Sequence, residues 1–280
     1  MLLAVVGHVE WVDFAVVERV PEPGEIVHVS EAWEEPAGGG AVAAVQLARL
    51  SGACLFLTAL GDDDRGHAAK RDLEAMGVEV RAVWRSEPQR RAFVYLDASG
   101  ERTITVIGER LTPRAEDPLP WRELERCDGI YLTAGDRGAV RAARAARSLV
   151  ATVRALPELN QAGVEIDALL SSANDDGERY SPGDLEPSPR MVARTDGAGG
   201  GELVAADGSS GRWPPAPLPG PVVDSYGAGD SFAAGFTYGL ADGLAPEAAV
   251  ALGARCGAAC VTGRGPYRAQ IGTGPDAPRL

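Results

Sequence analysis

Apolar residues occur along this chain in two patterns, continuous runs and helix-period segments, and the two patterns alternate. Continuous runs are typical of strands that are covered on both faces of a sheet. We predict such strands at residues 2–6, 54–60, 78–84, 129–133, 167–172 and 191–194. We predict helices at residues 41–52, 67–76, 139–156, 233–240 and 246–260. The alternation predicts an α/β fold whose central sheet is mostly parallel and is covered by helices on both faces.

Four other segments of strand character come in pairs that are separated by turn residues. The pairs are residues 12–17 with 26–33, and 91–96 with 102–107. Short separations that are rich in Gly, Pro, Asp and Ser indicate hairpins rather than strand–helix–strand units. We therefore predict one domain over residues 1–280, with a small β-sheet set apart from the main sheet and built from about 12–34 and 91–107.

The segment from Asp224 to Phe232, D-S-Y-G-A-G-D-S-F, precedes an Ala/Gly-rich helical run. Gly227 and Gly229 permit a tight turn and let an anion approach the backbone. The first N–H groups of the helix have no intrahelical partner and carry the positive end of its dipole, so this turn is a candidate anion site. Asp230 at its mouth suits proton acceptance during phosphoryl transfer. The alternative is that Asp230 only caps the helix.

The spacing D-x-x-G-A-G-D-x-F resembles the signature of the ribokinase-like (PfkB) family of sugar and nucleoside kinases, and the resemblance runs from Leu2 to about Pro266. It implies a ribokinase-like fold with a β-sheet lid, and it implies ATP and Mg²⁺ as cofactors. Asp230 would then be the general base. The backbone N–H groups of Gly227, Ala228 and Gly229 would stabilise the charge that grows on the transferred group.

Two more segments extend the resemblance to the nucleotide side. Thr195, Gly197 and Gly200 belong to a glycine-rich turn after a strand, and this turn resembles the nucleotide loop of the family. Residues 261–266 resemble a loop that, in several members, binds a potassium ion together with the first signature aspartate, here Asp224. The resemblance therefore implies cofactor contacts at these positions, with a monovalent cation such as K⁺ as a possible addition.

Acidic residues near 174–178 are candidates for ordering water around Mg²⁺, since carboxylates suit this hard cation. The family has an Asn-x-x-Glu motif at this point, whereas Asn174 and Glu178 are separated by three residues here. Asp175, Asp176 and Glu178 are all candidates. We assign none of them as the metal ligand.

The substrate side has fewer matches to the family. Ligands of open α/β sheets lie beyond the carboxyl ends of the strands, and glycines let the backbone approach a substrate. Our candidate substrate contacts are Glu10, Asp13, Gly38 and Gly39. The Lys and Asn that the family carries near the second pair correspond here to Gly40 and Ala43, which argues against ribose as the substrate.

Composition excludes some classes of partner. The chain has 280 residues and a net charge of −13, which argues against nucleic acid and anionic membranes as partners. The first seven residues have neither a basic leader nor the length of a membrane span, so we expect a cytoplasmic protein. Exposed lid strands favour a homodimer through the lid.

These features together predict an ATP-dependent kinase that phosphorylates a hydroxyl of a small sugar or sugar-like substrate. A nucleoside kinase of the same family is one alternative, and a catalytically weak sugar- or nucleotide-binding relative is another. A dinucleotide-dependent oxidoreductase is the least favoured. It needs G-x-G-x-x-G after the first strand, and residues 7–12 do not supply it.

Overall fold

The computed structural model describes residues 1–272, which form two β-sheets and six α-helices. The strands are β1 (Leu3–Val6), β2 (Glu10–Val16), β3 (Glu31–Ala37), β4 (Cys54–Gly61), β5 (Val78–Arg85), β6 (Arg91–Leu96), β7 (Arg102–Ile107), β8 (Gly129–Leu132), β9 (Ser148–Thr152), β10 (Ala168–Ser172), β11 (Met191–Thr195), β12 (Gly201–Ala205) and β13 (Ser210–Trp213). The helices are α1 (Gly39–Ser51), α2 (Asp64–Ala75), α3 (Arg137–Ala143), α4 (Leu156–Ala162), α5 (Ala228–Ala241) and α6 (Pro246–Cys260).

The larger sheet has nine strands in the order β13-β12-β11-β10-β9-β8-β1-β4-β5. The strands from β11 to β5 are parallel, and only β12 and β13 pair in antiparallel fashion. The chain packs helices on both faces because each buried strand is apolar on both. Val5 lies in one core cluster with α1 and α5, and Val6 lies in another with α3 and α4. The predicted fold class is confirmed.

The smaller sheet has four strands in the order β3-β2-β6-β7 and forms the lid. Two antiparallel pairs, β2 with β3 and β6 with β7, are joined side by side through a parallel pairing of β2 with β6. Phe14 of β2 stacks on Trp33 of β3 at 4.7 Å and meets Tyr226 edge-on at 5.0 Å between ring centroids. An aromatic contact therefore links the lid to the segment that precedes α5.

The predicted helix at residues 139–156 is wrong. Helix α3 ends at Ala143, and Ser148–Thr152 forms strand β9 between β8 and β10. Leu149, Val150 and Ala151 are all fully buried there. A short apolar run of this kind satisfies helical and strand periodicity equally, and pairing with two neighbouring strands decides in favour of the strand.

Two boundaries also differ from the prediction. The predicted strand at residues 26–33 begins only at Glu31 and continues to Ala37, whereas Ile26 is 90% exposed and lies outside the sheet. Pro36 is tolerated in β3 because this strand is at the edge of the lid. Strand β13 lies in a Pro/Gly-rich stretch for which we predicted no strand, and it pairs with β12 across a turn at Asp207–Ser209. Within residues 1–272, no helix is both long enough and apolar enough to cross a bilayer.

Candidate active site

The turn before α5 is built around Gly227, whose φ of +81° lies in the left-handed region that favours glycine. A side-chain carbon at this position would lie 2.7 Å from Cβ of Pro266. Helix α5 begins directly afterwards without any side-chain cap, so Asp230 does not cap it. Backbone N–H groups at the start of α5 are therefore available to an anion, and the surface above Gly229 is open.

Asp230 lies in the first turn of α5, close to the start of α1 and to Thr133, which follows β8. A side-chain carbon at Gly39 would lie 2.9 Å from Asp230 Oδ1 and 3.6 Å from Thr133 Cγ2, so these residues converge. Burial raises the pKa of Asp230 to about 7, and the negative charge of Glu178 contributes to the rise. A carboxyl with such a pKa can accept and return a proton near neutral pH.

Glu10 and Gly38 form the neighbouring wall, at the carboxyl end of β1. A side-chain carbon at Gly38 would lie 3.2 Å from Glu10 Cγ, and Gly38 has a φ of +84°. Glu10 Oε1 lies 2.8 Å from Arg90 Nε and 3.9 Å from His8 Nε2. Burial raises the pKa of Glu10, and the charge of Arg90 opposes the rise. The structure therefore brings Glu10, Gly38, Gly39 and Asp230 together.

Asp13 is not part of this group. Its carboxylate pairs with Arg91 of β6 at 2.8 Å. Side chains alternate between the two faces of a strand, so Asp13 and Glu10 lie on opposite faces of β2. Nothing in these contacts brings Asp13 to Asp230.

Asp224 is buried and ties the turn to the loop at 261–266. Its Oδ1 accepts a hydrogen bond from the backbone N–H of Tyr226 and its Oδ2 accepts one from that of Gly265, both at 2.8 Å. Burial raises the pKa of Asp224, and these two N–H donors oppose the rise. Burial also raises the pKa of Glu35 to about 6, and the nearby charge of Asp224 contributes. A buried carboxylate, Asp224, and a half-buried one, Glu35 of lid strand β3, thus lie close together.

The glycine-rich turn lies between β11 and β12. Gly197 and Gly200 have φ values of +49° and +81°. A side-chain carbon at Gly197 would lie 3.3 Å from Asn174 Nδ2, so the turns at 174 and 197 are neighbours. Gly200 is also required by packing, because a side-chain carbon there would lie 2.1 Å from the carbonyl oxygen of Trp213. The Thr195 hydroxyl donates to the carbonyl of Ser171 at 3.3 Å.

The acidic residues at 175–178 differ in their surroundings. Asp175 and Glu178 both pair with Arg154 at 2.6 Å, whereas Asp176 pairs with Arg179 on the surface. Glu178 is close enough to Asp230 to raise its pKa. Within residues 1–272, no three acidic, histidine or cysteine side chains form a metal-binding group.

Comparison with known proteins places this site in a family. The sequence profile of the pfkB family of carbohydrate kinases matches residues 1–174 and 164–271. The chain belongs to the PfkB family. An ATP-dependent ribose-1-phosphate kinase of Halopiger xanaduensis is 30% identical over 249 residues, which cover 82% of this chain and 81% of that protein. The reaction class of this PfkB kinase is ATP-dependent phosphotransfer to a sugar-like acceptor.

Solved structures agree with the fold of this PfkB kinase. A ribokinase of Thermotoga maritima superposes with a TM-score of 0.77 at 22% identity, covering 97% of this chain and 96% of that one. A ribokinase of Arabidopsis thaliana, complexed with ribose and ATP, gives a TM-score of 0.75 at 20% identity, with coverage of 97% and 96%. The predicted family and ribokinase-like fold are confirmed.

A group of arginines beside the PfkB site was not predicted from the sequence. Arg90, Arg110, Arg137 and Arg154 line one cavity together with Thr133. They come from four separate segments, so no motif marks them. Arg154 follows β9, a strand that lies within the range of the predicted helix 139–156. A correct assignment of β9 would have placed Arg154 at the carboxyl end of a strand, where ligands of this fold class bind.

Proposed function

We propose that this PfkB kinase transfers the γ-phosphoryl group of ATP to a hydroxyl of a small sugar-like acceptor, with Asp230 as general base. The observation that carries the proposal is the position of Asp230, in the uncapped first turn of α5 and with a pKa of about 7. The same carboxyl can take the proton of an attacking hydroxyl and release it to solvent afterwards.

In this mechanism the acceptor oxygen attacks the γ-phosphorus as its proton moves to Asp230, and ADP leaves with the electrons of the broken P–O bond. Negative charge on the transferred group is met by the backbone N–H groups of Gly227, Ala228 and Gly229. The open space at Gly229 supports this role, because a phosphoryl group needs room above the turn.

We assign the nucleotide to the groove that continues from α5 to the turn after β11. Gly197 and Gly200 hold that turn in left-handed backbone conformations, and Thr195 anchors it to β10. Asp224 holds the preceding segment against Gly265 and is assigned to the same cofactor side. ATP binding at these residues remains our inference.

Magnesium ions of kinases are usually held by one or two carboxylates and by substrate phosphates, so a complete protein cage is not required. Glu178 fits this donor set best among the acidic candidates, since its charge acts on Asp230 and its turn adjoins Gly197 through Asn174. When bound, Mg²⁺ would neutralise phosphate charge. Glu178 would hold its water shell in place.

A monovalent cation is proposed beneath the lid. Burial is the main cause of the raised pKa of Glu35, and repulsion from the buried carboxylate of Asp224 adds to it. A cation such as K⁺ near the 261–266 loop would offset that repulsion.

We assign the acceptor to Glu10, Gly38 and Gly39, which face Asp230. Asp13, which we had also predicted as a contact, is engaged by Arg91, and we give it no part in the mechanism. A sugar-like acceptor is favoured over a nucleoside by the 30% identical ribose-1-phosphate kinase, although a relative of 28% identity is named an aminoimidazole riboside kinase. The intact Asp230 argues against a catalytically weak binding protein.

The proposal places the protein in the cytoplasm, where ATP is abundant, as a homodimer joined through the lid. Strand β7 supports the dimer, because all six of its residues are exposed at the edge of the lid sheet. The proposed function involves neither nucleic acid nor a membrane.

An acceptor screen tests the function. The purified protein is incubated with ATP, MgCl₂ and KCl and with sugars, sugar phosphates and nucleosides in turn, and phosphorylated products are detected by mass spectrometry alongside ADP. We expect one ADP for each phosphorylated acceptor, with a sugar-type acceptor preferred. ADP formation without any phosphorylated acceptor, or no ADP from any mixture, would contradict the proposal.

A further inference from the structure

A cavity of about 680 Å³ beside the proposed acceptor site carries an unusual concentration of positive charge. Four arginines line it, Arg90, Arg110, Arg137 and Arg154, against the two carboxylates of Asp136 and Glu158. The chain as a whole has a net charge of −13. Most of its arginines form ion pairs on an acidic surface, so a cluster of guanidinium groups around one cavity requires a separate explanation.

Carboxylates of the protein neutralise only part of this charge. Arg90 pairs with Glu10, and Arg154 pairs with Asp175 and Glu178. In the part of the chain that the structure describes, no carboxylate lies within 4.0 Å of the guanidinium of Arg110.

The same holds for Arg137 within residues 1–272. Of the acidic residues that line the cavity, Asp136 is engaged elsewhere. Its Oδ1 accepts from the backbone N–H groups of Ala139 at 2.8 Å and Ala115 at 3.0 Å, which caps α3. The cavity thus presents guanidinium donors that the protein does not fully use.

The arginines also repel one another. Burial lowers the pKa of Arg110, and the positive charges of Arg90 and Arg154 lower it further, whereas the charges of Glu10 and Glu158 partly oppose this shift. The same positive charges act on His8. Its pKa is lowered well below the usual value, first by burial and then by Arg110, Arg90 and Arg154. An anion bound among these groups would relieve the repulsion and would gain charge-assisted hydrogen bonds.

The cavity adjoins the site of phosphoryl transfer through Thr133. Thr133 lines the cavity. Thr133 is also close to Asp230, because a side-chain carbon added at Gly39 would contact both Thr133 Cγ2 and Asp230 Oδ1. Arg154 is close enough to Asp230 to lower its pKa. A ligand of sugar size can therefore reach from the arginines to the general base.

We propose that the acceptor is a sugar phosphate monoester, whose phosphate binds Arg90, Arg110 and Arg154 while one of its hydroxyls faces Asp230. Arg137 lines the rim of the same cavity. A phosphate monoester has a charge near −2 and three acceptor oxygens, which suit several guanidinium groups, whereas a carboxylate is satisfied by one. The inference rests on the proposed kinase function and names the class of its acceptor.

Matched acceptor pairs test this inference. Initial rates with ATP are measured for ribose, ribose 1-phosphate and ribose 5-phosphate, for fructose, fructose 1-phosphate and fructose 6-phosphate, and for gluconate as a sugar carboxylate. We expect kcat/KM for at least one monoester to exceed that of its parent sugar by about 100-fold, the factor expected of two charge-assisted hydrogen bonds. We expect gluconate to react no better than the neutral sugars.

Substitutions of a cavity arginine test whether the preference for monoester acceptors comes from the cavity. Arg110→Gln should lower kcat/KM for the monoester by about 10- to 100-fold and leave KM for ATP unchanged, and Arg110→Lys should retain more activity because it keeps the charge. Arg122→Gln, at an exposed position of the short helical turn Trp121–Arg126, is the matched control and should change neither value. Titration calorimetry of the monoester into Asp230→Asn, with and without Arg110→Gln, should show the same loss in affinity without turnover.

The two proposals can fail separately. If no acceptor is phosphorylated, the kinase function itself is wrong. If neutral sugars or gluconate are phosphorylated as efficiently as the monoesters, only the acceptor class is wrong. Unchanged monoester affinity in a folded Arg110→Gln variant, checked by its thermal melting curve, would likewise overturn the assignment of the cavity.

Discussion

Burial and neighbouring charges of both signs set the pKa of Asp230 close to neutral pH. Burial and the charges of Glu178 and Glu10 raise the pKa of this carboxyl, whereas Arg102 and Arg154 lower it, and the result is about 7. A general base is most effective when its pKa lies near the working pH. The sequence motif was sufficient to locate this residue. It could not supply the pKa, because the charges that act on Asp230 come from four distant segments.

The ionisation of Asp230 predicts the pH dependence of the enzyme. A base acts only when deprotonated, and its raised pKa means that the proton is still bound at pH 6. We therefore expect kcat/KM to fall about tenfold per pH unit below an apparent pKa near 7 and to reach a plateau above it. Initial rates from pH 5.5 to 9 at limiting acceptor concentration measure this profile.

Substitution of Glu178 should move that profile in a known direction. Glu178→Gln removes a negative charge that raises the pKa of Asp230 and releases Arg154, whose positive charge lowers it. The acid limb should shift to lower pH by several tenths of a unit or more. Asp176→Asn, at a surface carboxylate that pairs with Arg179, is the control. If the acid limb does not shift in Glu178→Gln, the ionisation that limits the rate at low pH is not that of Asp230.

The turn before α5 shows how an element positions the site. Gly227 packs against Pro266 and reverses the chain in a left-handed conformation, and α5 then starts without a side-chain cap, which leaves its first N–H groups available to a ligand. Continuous apolar runs and this glycine motif were sufficient to predict most strands and the turn. They were not sufficient for β9, whose buried sequence fits either kind of element until its neighbours are known.

Alanine substitutions of the two glycines should therefore differ in their effect on stability. Gly227→Ala should lower the free energy of unfolding by about 1–3 kcal/mol, because it combines an unfavourable φ with a clash against Pro266. Gly229→Ala meets nothing within 4 Å and has a higher helix propensity, so it should leave stability unchanged or raise it by up to about 1 kcal/mol. Urea unfolding of both variants measures the difference, and equal midpoints would contradict this account of the turn.

The whole molecule is organised as a large sheet that carries the catalytic turn and a small sheet that covers it. The sequence predicted both sheets from the two kinds of strand pattern. It did not predict that β2 would pair with β6 in parallel, since that pairing joins residues 80 positions apart in the chain, as in Trp11 with Arg91. The result is an edge at β7 whose residues are exposed on both faces, including Ile104, Val106 and Ile107.

Exposure of β7 leads to a prediction about assembly. Sedimentation equilibrium should give twice the mass of one chain, and Ile104→Lys should shift the protein towards the monomer because a charge at the edge opposes strand pairing. Ile26→Lys is the control, since Ile26 is 90% exposed but lies outside the lid sheet. A wild-type protein that remains monomeric at all concentrations, or an Ile104→Lys variant that dimerises equally well, would contradict a lid-mediated dimer.

The central claim is that Asp230 accepts the proton of the attacking hydroxyl, and a single-turnover measurement of Asp230→Asn tests it most directly. Rapid-quench assays at pH 8, with enzyme in excess over ATP and saturating acceptor, give the rate of phosphoryl transfer itself, and calorimetry gives ATP affinity. The account predicts a rate about 10²–10⁴-fold below wild type with unchanged ATP affinity, and a wild-type rate for the Asp242→Asn control at the other end of α5. A transfer rate for Asp230→Asn within a few-fold of wild type would contradict it.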